Sequence, residues 1–371
     1  MIAADSFDPA SAKLLTVGAD GAIRRLPRAA LASLLKPGDL VVANDAATLP
    51  ASLQGAVLPG GELIEVRLAA WVSIADPTRF VAIAFGAGDH RTPTEERARP
   101  PALAAGARLA LGPLEAFIEG PIEPPSLFRL RFIGGHAAIL AGLARHGRPI
   151  QYAHVERKLE LRDVWTRIAA EPIAFEPPSA GFALDWSTVE TWRGRGVGFV
   201  TLTLAAGISS TGSSALDRRL PFDEPYRIPE SAAAAINRAK SRGGRIIAIG
   251  TTVVRALESA ATATGRVRSG DGVARGRITR ETPVRAADAI LTGVHAPGES
   301  HFELLRAFAP DRVLERMRAE VEKHRFRTHE FGDFVLIERC PEEQPGTDRI
   351  DVFITDGDAD EDRLAAGDRL F

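Results

Sequence analysis

The sequence predicts an α/β protein in which one discontinuous sheet-and-helix domain is interrupted by an all-β insertion. Three observations predict it. Strand-like and helix-like patterns alternate over the first fifty residues and again from about residue 150 onward. Between them, from about Gly61, lies a different texture of successive short strand-like runs separated by Gly and Pro, without helices between them. The stretch RIIAIGTTVVRALESAATATG, residues 245 to 265, turns from a buried strand ending at Ile249 into a helix with Val254, Leu257 and Ala261 at helical spacing.

The elements follow in order. PRAALASLL has helical spacing, and KPGDLVVAND is a Pro-Gly turn feeding an apolar strand that ends at Asn44 and Asp45. ELIEVRLAAWVSIA, RFVAIAFG, ARLALG, LEAFIEG and LFRLRFIG are short strands, as in a small barrel or sandwich, and DHRTPTEERARPPALAAG among them reads as a long exposed loop. HAAILAGLARHG is helical, VGFVTLTLAAG a strand, and PESAAAAINRAKSRGG a helix with glycine at its end. VRAADAILTGVHAPGES and HEFGDFVLIE give further strands, and SHFELLRAFA and RVLERMRAEVEKH give helices. The sheet-and-helix domain is thus expected from 1–60 and 150–371, with the insertion at 61–149. There is no internal repeat.

Composition sets the outer bounds. Of the 371 residues 45% are hydrophobic and 25% charged, as in soluble globular proteins. The lone Cys340 excludes an internal disulfide framework and any multi-cysteine metal site, and a reducing, cytoplasmic location is the expectation. No leader pattern and no apolar run of membrane-spanning length is found, so neither targeting nor anchoring is expected. Residues 341–371 carry ten Asp and Glu against three Arg, a net −7 in a chain of net −2, which leaves +5 on residues 1–340. A nucleic-acid partner is permitted by that balance and not demanded by it. The acidic tail reads as a solvated extension.

Candidate chemistry concentrates at strand ends. At Gly250-Thr251-Thr252 a threonine hydroxyl can cap the first helical amides, and glycine lets another group approach the backbone, with Arg255 and Glu258 projecting nearby. The same junction occurs in α/β proteins that hold no ligand. It is not a phosphate loop, since the lysine is absent, and no G-x-G-x-x-G fingerprint is present. Asn44 and Asp45 sit at a strand end, where polar groups face a ligand crevice or cap a turn. His295 and His301 in HAPGESH are set aside as metal ligands, because Pro and Gly break the helical spacing and no acidic cluster joins them. No G-x-S-x-G elbow supports a serine triad.

KPGDLVVAND, GGELIEV, PPSAGF, RIIAIGTTVVRALESAA, ADAILTGVHAPGES and FGDFVLI, in that order from about residue 30 to 338, resemble the S-adenosylmethionine:tRNA ribosyltransferase-isomerase family of queuosine biosynthesis. GTTVVRALES is the most specific piece. The resemblance implies an α/β domain interrupted by a small β-barrel. It implies a reaction in which the ribosyl part of S-adenosylmethionine is attached to a 7-aminomethyl-7-deazaguanine base in the tRNA anticodon and isomerised to an epoxycyclopentanediol, with adenine and methionine released. It further implies no metal, and S-adenosylmethionine and tRNA as partners of an expected monomer. As site residues it implies Asp45, Glu224 and His295 for catalysis, and Asn44, Ser179, Ala180, Gly181, Tyr226, Gly250, Thr251, Thr252, Arg255, Glu258, Asp288 and Thr292 for substrate binding. Thr252 and Arg255 would face the nucleoside or the methionine carboxylate, with Glu258 orienting Arg255.

The chain departs from that family at particular positions. Ala46 and Ala47 stand where the family follows Asn-Asp with threonine and arginine, and Ser52 where it has a second arginine. Ala183, Thr203 and Phe222 stand at three family histidines, and none of the three can exchange protons as imidazole does. Three functions are therefore open: the family's tRNA modification, a diverged transferase using S-adenosylmethionine on another acceptor, and a non-catalytic nucleoside- or RNA-binding paralogue.

Overall fold

A computed structural model of the chain describes residues 2–123 and 126–340; the acidic tail from 341 lies outside the described residues. Nine strands form the main sheet, in the order Gly270–Ala274, Glu224–Ile228, Gly198–Leu204, Leu40–Asn44, Ile246–Ile249, Ala289–Gly293, Phe334–Glu338, Lys13–Val17 and Ile23–Pro27. The four central strands, Gly198–Leu204 through Ala289–Gly293, run parallel to one another. The flanking strands on both sides join them antiparallel.

The central strands are short apolar runs because they are buried on both faces. Leu40, Val42, Ile246 and Ala248 face a core shared with the helices Glu230–Ser241, Thr251–Ala260 and Asp311–Lys323. Their alternates, Val41, Ala43, Ile247 and Ile249, face a second core built with Leu31, Phe182 and Trp192 of the helix Trp186–Gly194. That helix starts where the Asp185 side chain accepts the Thr188 amide proton at 2.7 Å.

Six antiparallel strands close into a barrel, ordered Leu114–Glu123, Leu127–Phe132, Arg79–Phe85, Leu63–Trp71, Ser52–Leu58 and Arg108–Leu111. The expected fold class, α/β with an inserted small β-barrel, is the one observed. The barrel's first strand begins at Ser52, ahead of the change in texture at Gly61, because SLQGAVL alternates too weakly to show its pairing with Leu63–Trp71. Its core is a third apolar cluster, tied to the main domain where Trp71 Nε1 donates to the Ile173 carbonyl at 2.8 Å and stacks near Phe175. At the same junction the Tyr152 hydroxyl donates to Glu176, whose carboxyl burial pushes up to about 7.

One expectation is corrected. The segment 89–106 is not simply an exposed loop, because Arg97 within it is buried together with Thr94. Arg97 Nη1 donates to Glu65 at 2.6 Å, Arg67 Nε donates to the same carboxylate at 2.7 Å, and the Ser52 hydroxyl adds a third bond at 2.8 Å. Both guanidinium groups also lie against the Phe85 ring, at 5.0 and 5.1 Å. Burial pushes the Glu65 carboxyl up, but the two arginines outweigh it and hold it below the usual carboxylate range. Removing that one charge strands two buried cations. Glu65→Gln is therefore expected to cost about 3–5 kcal/mol in a urea unfolding titration, and a loss under about 1 kcal/mol would show that the arginines find other partners.

Candidate functional site

Because the four central strands are parallel, their carboxyl ends share one edge of the sheet. Asn44 and Asp45, Gly250, Thr292 and Thr203 all reach this edge. Gly250 stands at φ +95°, outside the range comfortable for other residues, and its amide donates to Leu291 at 2.7 Å. A Cβ there would lie 3.3 Å from that of Ala180, so the PPSAGF turn packs directly on the junction. Gly181 in that turn packs on Thr166, and Ser179 opens it.

Asn44 is a buried connector. Its Oδ1 accepts the amides of Leu204 and Ala46 at 2.9 and 3.1 Å, while Nδ2 donates to the Leu204 carbonyl at 3.0 Å and to Thr252 Oγ1 at 3.5 Å. Asp45 accepts from the Thr203 hydroxyl at 2.7 Å. Thr203 thus serves the carboxylate at a position where the resemblance places a histidine.

A cavity of about 30 Å³ opens beside the helix start, lined by Thr251, Thr252, Arg255, Glu224, Arg277 and His301 among others. Arg255 and Glu224 form a buried ion pair on its wall, each 5% exposed. Arg255 Nη2 also donates to the carbonyls of Phe222, Ala274 and Gly276 at 3.3, 3.0 and 3.0 Å, and Glu224 accepts the Gly207 amide proton at 2.9 Å. Burial raises the Glu224 pKa, and the adjacent guanidinium opposes that rise. The arginine's forked donors are spent on protein, and its charge is met by Glu224 on the same wall.

Three expected members do not join the site. Glu258 does not orient Arg255; its carboxylate accepts the backbone amides of Arg285, Ala286 and Ala287 at 2.7, 2.9 and 3.0 Å. It lies two helical turns along from Thr251, and the orphan amides of a chain turn claim it. Asp288 accepts the Ile246 amide at 2.9 Å, at the amino edge of the strands, roughly 15 Å from the carboxyl edge at about 3.3 Å per residue. Tyr226 is buried in the core against Gly272, two residues beyond Glu224 on the same strand face.

His295 also stands at this edge. The Thr292 hydroxyl lies 2.9 Å from its Nε2, and Glu299 approaches Nδ1 at 3.6 Å. A hydroxyl on one nitrogen and a carboxylate near the other fix the orientation of the imidazole. His301 stacks on the His295 ring, with centroids 4.7 Å apart. The view that no acidic group joins these histidines is corrected: Pro297 and Gly298 turn the chain so that Glu299 lies beside both, with ligand atoms within 4.8 Å of one another. His301 was missed as a wall of the site because its segment shows spacing and not the turn that folds it back.

Burial, reinforced by the charges of His295, Arg255 and Arg277, holds the His301 pKa down to about 3, against the pull of Glu299. The folded value lies below the unfolded one, so the contribution to stability is present above about pH 6.5 and is lost as pH falls toward 3. His301→Gln is expected to flatten that acid limb. Equal slopes for the two proteins between pH 6.5 and 4 in thermal melts would contradict the burial of a neutral imidazole.

Across the chain, a family model described as queuosine biosynthesis protein matches residues 1–337. The chain belongs to that family. Among members of the queuosine biosynthesis family, the S-adenosylmethionine:tRNA ribosyltransferase-isomerase of Citrifermentans bemidjiense is 31% identical over 345 residues, 88% of this chain and 93% of that one. The proteins of the same name from Geobacter sulfurreducens and Thermus thermophilus are each 30% identical, over 88% and 91% of this chain and 92% and 95% of theirs. The crystal structure of S-adenosylmethionine tRNA ribosyltransferase from Thermotoga maritima aligns with a TM-score of 0.47 at 21% identity, over 90% of this chain and 95% of that one. No helix among the described residues is long and apolar enough to cross a membrane.

Proposed function

We propose that this chain is an S-adenosylmethionine-dependent ribosyltransferase-isomerase, attaching the ribosyl moiety to the 7-aminomethyl-7-deazaguanine base of a tRNA anticodon in the cytoplasm to give epoxyqueuosine. Its match to the family over residues 1–337 carries this reading. His295, set between Thr292 and Glu299 at the carboxyl edge of the sheet, agrees with it. In this reading His295 takes the proton from the carbon beside the sulfonium. The Thr251 and Thr252 end of the helix and Asn44 hold the donor, and Asp45, steadied by Thr203, faces the ribose. Adenine and methionine leave without a metal. The acceptor base approaches along the same edge, and the chain acts as a monomer.

A second reading, a diverged paralogue that binds S-adenosylmethionine or a related nucleoside and acts on another acceptor or on none, rests on three positions. Ala183 is fully buried in apolar core, Phe222 packs on the barrel core and lends Arg255 only its carbonyl, and Thr203 is spent on Asp45. None can exchange a proton.

Calorimetry with S-adenosylmethionine beside adenine release on precursor-bearing tRNA separates the two. Binding is expected, with turnover lower than that of a motif-complete relative by ~10²- to 10⁴-fold for each acid or base lost. His295→Ala is expected to abolish the remaining adenine release while leaving binding measurable. Undiminished release from that variant would remove His295 from the chemistry, and binding with no release on any tRNA would favour the second reading.

A further inference from the structure

A second cluster of histidines lies outside the cavity. His154 comes from the chain that returns from the barrel after the helix His136–His146, and His329 and Glu330 come from the turn before the strand Phe334–Glu338. Their ligand atoms all lie within 4.8 Å of one another. His154 Nε2 is 3.0 Å from Glu330 Oε2, and the two imidazole rings stack at 4.2 Å. The turn that presents them is anchored by Asp333, fully buried, whose carboxylate accepts the amides of Arg327 and Lys13 at 2.8 and 2.9 Å. His329 is fixed at φ +66°, a left-handed conformation that residues other than glycine seldom hold.

We propose that His154, His329 and Glu330 bind a divalent first-row transition cation of the Zn²⁺ class. Two imidazole nitrogens and one carboxylate oxygen are the donor set of such an ion, whereas Mg²⁺ and Ca²⁺ prefer oxygen alone. Ligand atoms around a tetrahedral Zn²⁺ stand roughly 3.4 Å apart, given bonds of about 2.0–2.1 Å. The His154–Glu330 pair is already within that span, and the other separations need a closure of at most about 1.4 Å. Parallel rings point their lone pairs in parallel, so one imidazole turns about its soft terminal torsion on binding and the stack opens. The exposed side of His329 leaves a position for water.

The parallel set His295, Glu299 and His301 is the weaker cation site. His295 already meets Thr292 and Glu299, and the cavity beside it carries two guanidinium groups, Arg255 and Arg277, against the one carboxylate of Glu224, a balance that disfavours a dication. Around His154 the nearby side chains are Glu330, the Tyr152 ring and Glu176 behind it, while the Arg67 charge over Tyr152 is matched by Glu65. A bound cation here ties the returning chain at His154 to a turn 175 residues later. The proposal goes beyond ribosyl transfer and needs nothing from that reading.

The full chain, stripped with chelator, is titrated with ZnCl₂ by calorimetry and with CoCl₂ by visible absorption. One equivalent is expected in each, with His329→Gln and Glu330→Gln weakening uptake at least ~10-fold and His301→Gln leaving it unchanged. Melting curves without cation confirm that the variants fold, which the exposure of His329 favours. The proposal is overturned by no uptake, by equal uptake in all variants, or by loss in His301→Gln with retention in His329→Gln.

Discussion

Burial of the central strands on both faces is the constraint on which the rest of the molecule depends. Leu40–Asn44 and Ile246–Ile249 send alternate side chains into two different cores, so a slip of one residue would exchange every contact of each face. Register is therefore fixed, and with it the common edge at which the strands stop. Asn44 then ties that edge together, bonding across to the Leu204 backbone and reaching Thr252. Site geometry here is a product of packing behind it.

Electrostatics shape what the edge can accept. The Glu224–Arg255 pair, the Phe222, Ala274 and Gly276 carbonyls and the Leu220 carbonyl that receives Arg277 consume most of the strong donors around the cavity. What remains is a space walled by the Arg255–Glu224 pair, the Arg277 guanidinium and a neutral His301. His295 is held there between a hydroxyl and a carboxylate, while Ala183 and Phe222 are used in packing and Thr203 in holding Asp45.

Much of this was legible in the residues. RIIAIGTTVVRALES could be read as strand, glycine and helix because its apolar period changes within three residues; the strand ends at Ile249 as read, while the helix, Thr251–Ala260, starts ahead of Val253 and stops before Ala261. Asn44 and Asp45 were visible as a polar stop after an apolar strand. Barrel closure was not visible in texture alone, because Ser52–Leu58 pairs through its backbone and shows no clean alternation. Partners distant in sequence were equally hidden. Nothing near Glu258 announces that three amides beginning at Arg285 will meet it, and nothing in HAPGESH shows Glu299 folding back beside two stacked imidazoles. A short-range pattern reports periods and caps; which distant group arrives is decided by the topology.

Glu258 carries one more consequence. By gathering the amides of Arg285, Ala286 and Ala287, it sets the height at which the chain enters the strand Ala289–Gly293. That strand is a rigid rod of five residues, and at its far tip stand Thr292 and, just beyond, His295. The carboxylate thus works as the foot of a ruler whose other end is read at the imidazole. A lesion at Glu258 would be read as a shift of the imidazole, although the side chain itself is bonded only to the turn at Arg285, Ala286 and Ala287.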